Sequence, residues 1–138
     1  MTQEEKDLLL KDLCARLPYG VKVQDELGRI NKLVLGNNDS IRLYYNDFSI
    51  YGEEKLSLPY LFPLSSITRE QIFEVQEILG KNEIEIEDGF LSIIDSSRNT
   101  ITYLEILALL NWFYKNHFDI NGLIPMGLAI DSTGLNIY

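Results

Sequence analysis

A chain of 138 residues with 46% hydrophobic and 24% charged side chains has the size and composition of one ordinary globular domain, which excludes disorder for its body. It holds no run of about 18 apolar residues, so no membrane-spanning helix is expected, and its acidic opening lacks the basic start and apolar stretch of a signal peptide. The net charge of −9 repels phosphate backbones and disfavours direct nucleic-acid binding; residues 70–138 carry most of it, with eleven acids against three bases, while residues 1–69 hold ten against nine.

The first helix is signed at its start by Thr2-x-x-Glu5, which has the form of a capping box. Leu10, Leu13, Cys14 and Leu17 then recur at helical spacing, with Leu9 widening the stripe and Lys6, Asp7, Lys11 and Asp12 at polar positions. Pro18-Tyr19-Gly20 stops the helix. A strand-rich stretch follows. Val21 and Val23 alternate with Lys22 and Gln24, and after a turn at 25–28 the chain returns as a partner strand over 30–35. Beyond a stronger turn at 36–39, Ile41, Leu43 and Tyr45 alternate with Arg42 and Tyr44, and 48–51 offers a further strand. Connections this short favour an antiparallel meander over crossover units. Pro59 and Pro63 make 56–63 an edge segment or an extended connection, because proline has no N–H to give to a central ladder.

A second helix starts at Thr68-x-x-Gln71, again of capping-box form, with Ile72, Val75, Ile78 and Leu79 as its stripe and Gly80 as its stop. Glu83-Ile84-Glu85-Ile86-Glu87 alternates strictly, Asp88-Gly89 is a tight-turn pair, and 90–94 completes a hairpin. The third helix runs from near Thr102 to about Asn116. Leu104, Ile106, Leu107, Leu109, Leu110, Trp112, Phe113 and Tyr114 make it apolar nearly all round, so it is expected to be the central, most buried helix. Residues 128–130 and 135–138 could add two short strands. The expected fold is one α+β domain over 1–138: a mainly antiparallel sheet, meander plus the 84–94 hairpin, packed against three helices.

Cys14 and His117 are the only thiol and the only imidazole. A lone cysteine cannot form an internal disulfide, which suits a reducing compartment, and the cytoplasm is the expected location. On the apolar stripe Cys14 reads as a small core residue. At the end of the third helix His117 reads as a carbonyl cap or as packing against Phe118. His117-Phe118-Asp119 is the polar site the sequence offers, through His117 and Asp119. One histidine leaves every other ligand to be a carboxylate, so neither a metal nor another cofactor is expected. Glu83, Glu85 and Glu87 form the solvent face of their strand, and no glycine-rich phosphate fingerprint occurs. No catalytic residue is assigned. Tyr44, Tyr45, Tyr51 and Tyr60 concentrate in the strand-rich half; Tyr44 and Tyr45, being adjacent, point to opposite faces of a strand. Tyrosine is favoured at interfaces, which makes these four the candidate interaction surface for a protein partner.

Three blocks, LLLKDLCARLPYGVKV at 8–23, PYLFPLSSIT at 59–68 and NHFDINGLIPMGLAI at 116–130, resemble the recurrent blocks of a large uncharacterised group from gut Bacteroides-type bacteria. Some members of that group travel with phage or other mobile DNA. The resemblance spans the chain from near its start to near its end and implies no activity, cofactor or catalytic residue. It does place Cys14, His117 and Asp119 within the blocks.

The leading functional expectation is a non-enzymatic protein-interaction module, working through the aromatic strand surface or the acidic second half. Two alternatives stand beside it. One is an acidic decoy of a nucleic-acid-binding protein, which requires carboxylates gathered on one face. The other is a small enzyme that pairs His117 with Cys14 or a carboxylate, which requires those groups to converge.

Overall fold

Thr2 opens the first helix as a reciprocal cap: its Oγ1 accepts the Glu5 N–H at 3.1 Å and the Glu5 carboxylate accepts the Thr2 N–H at 2.7 Å. From there α1 (Gln3–Arg16) runs for 14 residues. The computed structural model describes residues 1–24, 27–35, 43–45, 48–49, 58–80, 83–87, 90–94 and 102–138; for 34–35, 43–45, 48–49, 83–84, 86–87 and 90–94 only the backbone is described.

The face that α1 buries is Leu9, Asp12, Leu13 and Arg16. This corrects the stripe expected from hydrophobicity, because Leu10 and Cys14 are exposed. Both sets have helical spacing. The charged one wins because Asp12 and Arg16 stand one turn apart and satisfy each other.

A left-handed Gly20, φ 69°, turns the chain from the short 17–19 turn into β1 (Lys22–Gln24). β2 (Ile30–Leu35) returns antiparallel, with Val23 opposite Asn31. β3 (Leu43–Tyr45) and β4 (Phe48–Ser49) continue the expected meander, with Val34 opposite Tyr44 and Tyr45 opposite Phe48. β5 (Leu58–Leu61) then pairs antiparallel with the other side of β1, and β8 (Ile130–Asp131) adds in parallel beside β5. The sheet order is β4-β3-β2-β1-β5-β8.

β5 is therefore an interior strand, contrary to the edge or connection expected from its prolines. Pro59 lies opposite Val23 of β1, while β8 engages only Tyr60 and Leu61. No ladder bond toward β8 is asked of the proline, so its missing N–H is tolerated. Leu61 at the centre of this arrangement is fully buried.

The second helix, α2 (Arg69–Ile78), is capped as its sequence implies, Gln71 N–H to Thr68 Oγ1 at 3.2 Å and Thr68 N–H to Gln71 Oε1 at 2.9 Å. β6 (Glu83–Glu87) and β7 (Phe90–Ile94) form the expected hairpin, Glu85 opposite Ser92. They make a separate two-stranded sheet and do not extend the main one, whose edge beside β5 is taken by β8.

α3 (Tyr103–Lys115) follows, its N-cap Thr102 accepting the Glu105 N–H at 3.2 Å. Only Leu109 and Phe113 of its 13 residues are buried. The expectation of a central helix is thus corrected: α3 packs by one narrow face. Of the two strands expected in the tail, 128–130 is met only at Ile130, where β8 begins, and 132–138 carry no strand.

Two hydrophobic clusters result. Leu9 and Leu13 of α1 pack on Val21, Val23, Leu33 and Leu61 of the sheet, closed from the tail by Leu123 and Leu128. Val75 and Leu79 of α2 meet Leu109 and Phe113 of α3, with Leu64 and Phe118 between them. Each such side chain contributes about 1.5–3 kcal/mol on full burial. The elements make an α+β architecture. No helix among the described residues is long and apolar enough to cross a membrane.

Candidate functional site

Position on the α3 helix decides which of its apolar groups the fold uses. Leu109 and Phe113, one turn apart, turn into the second cluster. Trp112 lies beside them: its ring stacks on Phe118 at 5.6 Å between centroids, and its Nε1 donates to Glu74 of α2 at 3.2 Å. That contact fixes the helix rotation. Tyr103, Ile106, Leu107 and Leu110, spaced i, i+3, i+4, i+7, then form a second stripe roughly a quarter-turn from the buried one. It faces outward: Tyr103 is 73% exposed, and Ile106, Leu107 and Leu110 are 43%, 37% and 38% exposed. Leu104, at its flank, is 76% exposed. At the far end of the helix the stripe stops at Tyr114, whose ring carries the Arg16 guanidinium 5.0 Å above it.

Single exposed leucines are ordinary on a protein surface, but a contiguous helical stripe of them is not. The sequence holds this stripe in full view. Its signal was hidden because a helix apolar on all sides names no preferred face, and only the Trp112 and Phe113 contacts decide which side stays open.

His117 and Asp119 are placed by the turn that ends α3. Asn116, and not His117, caps the helix, its Nδ2 donating to the Trp112 carbonyl at 2.9 Å. His117 takes the left-handed conformation, φ 63°, which few non-glycine residues adopt. Its ring stacks on the ring of Tyr138 at 3.7 Å and 13°. Burial, then the positive charges of Arg16 and Lys22, push its pKa down to about 4, and its Nδ1 is buried without a hydrogen-bond partner among the described residues. Asp119 is buried and engaged at both oxygens: Oδ1 accepts the Leu123 N–H and Oδ2 the Ile124 N–H, both at 2.8 Å. It shapes the loop into the first cluster.

Tyr138 anchors the tail against the same spot. Its hydroxyl accepts the Lys22 N–H at 2.9 Å and donates to the Tyr60 carbonyl at 2.7 Å, and burial pushes its pKa up to about 12. Lys22 Nζ in turn donates to the Ile137 carbonyl. Tyr60 itself is only 4% exposed, its hydroxyl accepting from Gln24 Nε2 at 3.3 Å. That burial removes Tyr60 from the expected interaction surface. The side chains of Tyr44 and Tyr45, and the whole of Tyr51, lie outside the described residues.

Cys14 is exposed on α1, and no hydrogen bond among the described residues joins it to His117 or Asp119. A cavity of about 230 Å³ opens between Phe62, Phe118, Ser66, Thr68, Gln71 and Thr133. None of these side chains titrates near neutrality, so they supply no general acid or base. Among the described residues no three of His, Cys, Asp and Glu group as metal ligands. On α2 the exposed Glu70, Glu74 and Glu77 share a face with the exposed Phe73. No protein-family model, curated protein or solved structure matches the chain.

Proposed function

We propose that this chain is a non-enzymatic protein-interaction module that docks its partner on the outer stripe of α3. The observation that carries the reading is the exposure of Tyr103, Leu104, Ile106, Leu107 and Leu110 on a helix held firmly by its other side. Covering such a stripe removes apolar surface from water at about 25 cal/mol per Å², and the rigid helix behind it loses little freedom on binding. Helix-in-groove and helix-on-helix recognition use this same spacing of anchors. The aromatic end, Tyr103, adds a residue type enriched at interface hot spots.

The test compares the tagged chain with its Leu107→Glu/Leu110→Glu variant in pull-downs from the host lysate, washed at low and then high salt. A partner that survives high salt and is lost in the variant supports docking on α3. A partner released by salt and indifferent to the variant is held by the acidic surface, which overturns this reading in favour of charge docking. Capture of no protein by the unmodified chain, together with strict monomer behaviour, also overturns it.

A further inference from the structure

We infer that the cavity beside α2 is a binding site for a neutral, polyhydroxylated ring the size of a monosaccharide. The inference is independent of the α3 stripe, since no residue of α3 lines this cavity. Stretches far apart in the sequence build it: 62–71, Phe118, and the turn at Thr133 and Gly134 that follows β8. Its floor is aromatic and held in place. The Phe62 N–H donates to the His117 carbonyl and the Asp119 N–H to the Phe62 carbonyl, both at 2.8 Å, which ties Phe62 to Phe118 through the backbone. Their rings stand 6.1 Å apart between centroids at 51°, an angled floor and not a parallel slot for a flat ring. Phe118 is buried, so Phe62 offers most of the open ring surface.

Around this floor the lining keeps hydrogen-bonding capacity in both directions. Thr68 Oγ1 accepts the Gln71 N–H, and its own hydroxyl hydrogen has no acceptor among the described residues. Gln71 Oε1 accepts the Thr68 N–H, and its Nε2 group has no acceptor there either. Ser66 Oγ donates to the Pro63 carbonyl at 2.7 Å and Thr133 Oγ1 to Asp131 Oδ1 at 2.6 Å, so each keeps its oxygen lone pairs. Thr68 and Gln71 are thus donors still to be used, and Ser66 and Thr133 acceptors.

This set selects its ligand by charge and by chemistry. No lining side chain is charged, and a chain of net charge −9 repels an anion. The Thr68 and Gln71 N–H groups that an anion would take at the start of α2 are already bonded to side chains. A hard cation would need carboxylate oxygens that the lining lacks. A wholly apolar guest would cut the four polar groups off from water, at about 1–3 kcal/mol for each one left unsatisfied. A hydroxylated ring answers both demands: each hydroxyl donates and accepts, and the C–H face lies on the aromatic floor. The cavity, about 230 Å³, is smaller than the roughly 300–1,000 Å³ of sites for drug-sized ligands, which limits the guest to a single ring. With no acid or base among the lining groups, the guest is held and not transformed.

The experiment is a nitrogen–proton correlation NMR titration of the full chain with glucose, galactose, mannose and N-acetylglucosamine, and with glucuronate as the charged counterpart. At least one neutral sugar is expected to shift the amides of Ser66, Thr68 and Gly134 and the Gln71 side-chain amide saturably, with Kd on the order of 1 mM. Glucuronate is expected to bind ~10-fold more weakly. Gln71→Glu preserves the reciprocal cap, because Glu serves that position as Gln does, but it removes the amide donors and adds a charge. It is expected to weaken binding by ~10-fold or more with an unchanged circular dichroism spectrum. Thr133→Val, on the opposite wall, removes an acceptor without touching α2 and is expected to weaken binding as well, which keeps the test decisive if Gln71→Glu disturbs the fold. Absence of saturable shifts around the cavity with every neutral sugar overturns the inference. So does glucuronate binding as tightly as the neutral sugars, or either variant, folded, binding them as the unmodified chain does.

Discussion

Arg16 and Asp12 form a fully buried ion pair one helical turn apart, Nε to Oδ2 at 2.7 Å and Nη2 to Oδ1 at 3.1 Å. The pair is also the joint between distant parts of the chain. Arg16 Nη2 donates to the Phe118 carbonyl at 2.6 Å, and Asn121 Nδ2 donates to Asp12 Oδ1 at 2.8 Å. Removing one partner strands the other charge without water, so Asp12→Leu or Arg16→Met alone is expected to cost about 3–5 kcal/mol. The double variant Asp12→Leu/Arg16→Met leaves no charge behind and is expected to cost less than either single change. Urea unfolding of the three variants measures this, and costs that simply add would show that the pair is not coupled.

His117 gives the fold a pH dependence of definite sign. Its pKa falls from an ordinary 6.5 to about 4 in the folded chain, so between those values the unfolded chain binds a proton that the folded chain refuses. Stability is complete above about 6.5 and declines as pH drops toward 4. The ring is only partly buried; after discounting for solvent screening the loss is on the order of 1–2 kcal/mol. His117→Asn should remove this contribution while tolerating the left-handed backbone. Thermal melts of both proteins at pH 7, 6, 5 and 4 check it, and parallel declines would show that other groups are responsible.

What could be read from the sequence was what the sequence decides locally. Thr2 with Glu5 and Thr68 with Gln71 cap their helices as their spacing implies, and β6 and β7 pair as a hairpin on either side of 88–89. The buried face of α1 could not be read in this way. Leu10, Leu13, Cys14 and Leu17 are the more apolar set, and the Asp12–Arg16 pair that favours Leu9, Asp12, Leu13 and Arg16 is completed inside by a carbonyl 102 residues away at Phe118. The interior place of β5 likewise depends on β8, far along the chain. In the candidate site, His117 and Asp119 were visible as polar residues. The stacking of His117 on Tyr138, and the capture of the Leu123 and Ile124 N–H groups by Asp119, are matters of tertiary contact.

Cys14 tests the corrected face of α1 directly. An exposed thiol should react with an aromatic disulfide reagent in the native state at close to the rate seen in urea, one equivalent per chain. Cys14→Ser should change stability by no more than about 0.5 kcal/mol, as substitutions at open surface positions do. A thiol that reacts only after unfolding would return Cys14 to the core and contradict the inward placement of Asp12 and Arg16.

The two stripes of α3 should separate in their energetics. Leu109 is buried against Val75, Leu79 and Phe113, and truncating it to alanine removes packing and leaves a void, with an expected cost of about 2–5 kcal/mol. Leu104 lies on the open side, and Leu104→Ala should cost the monomer less than about 0.5 kcal/mol, helped by the high helix propensity of alanine. Denaturation at a protein concentration low enough to keep the chain monomeric measures both. Equal and large losses would mean that α3 is enclosed on all sides, as its composition first suggested. A large loss at Leu109 with none at Leu104 shows that the outer side of α3 has no role in holding the monomer together.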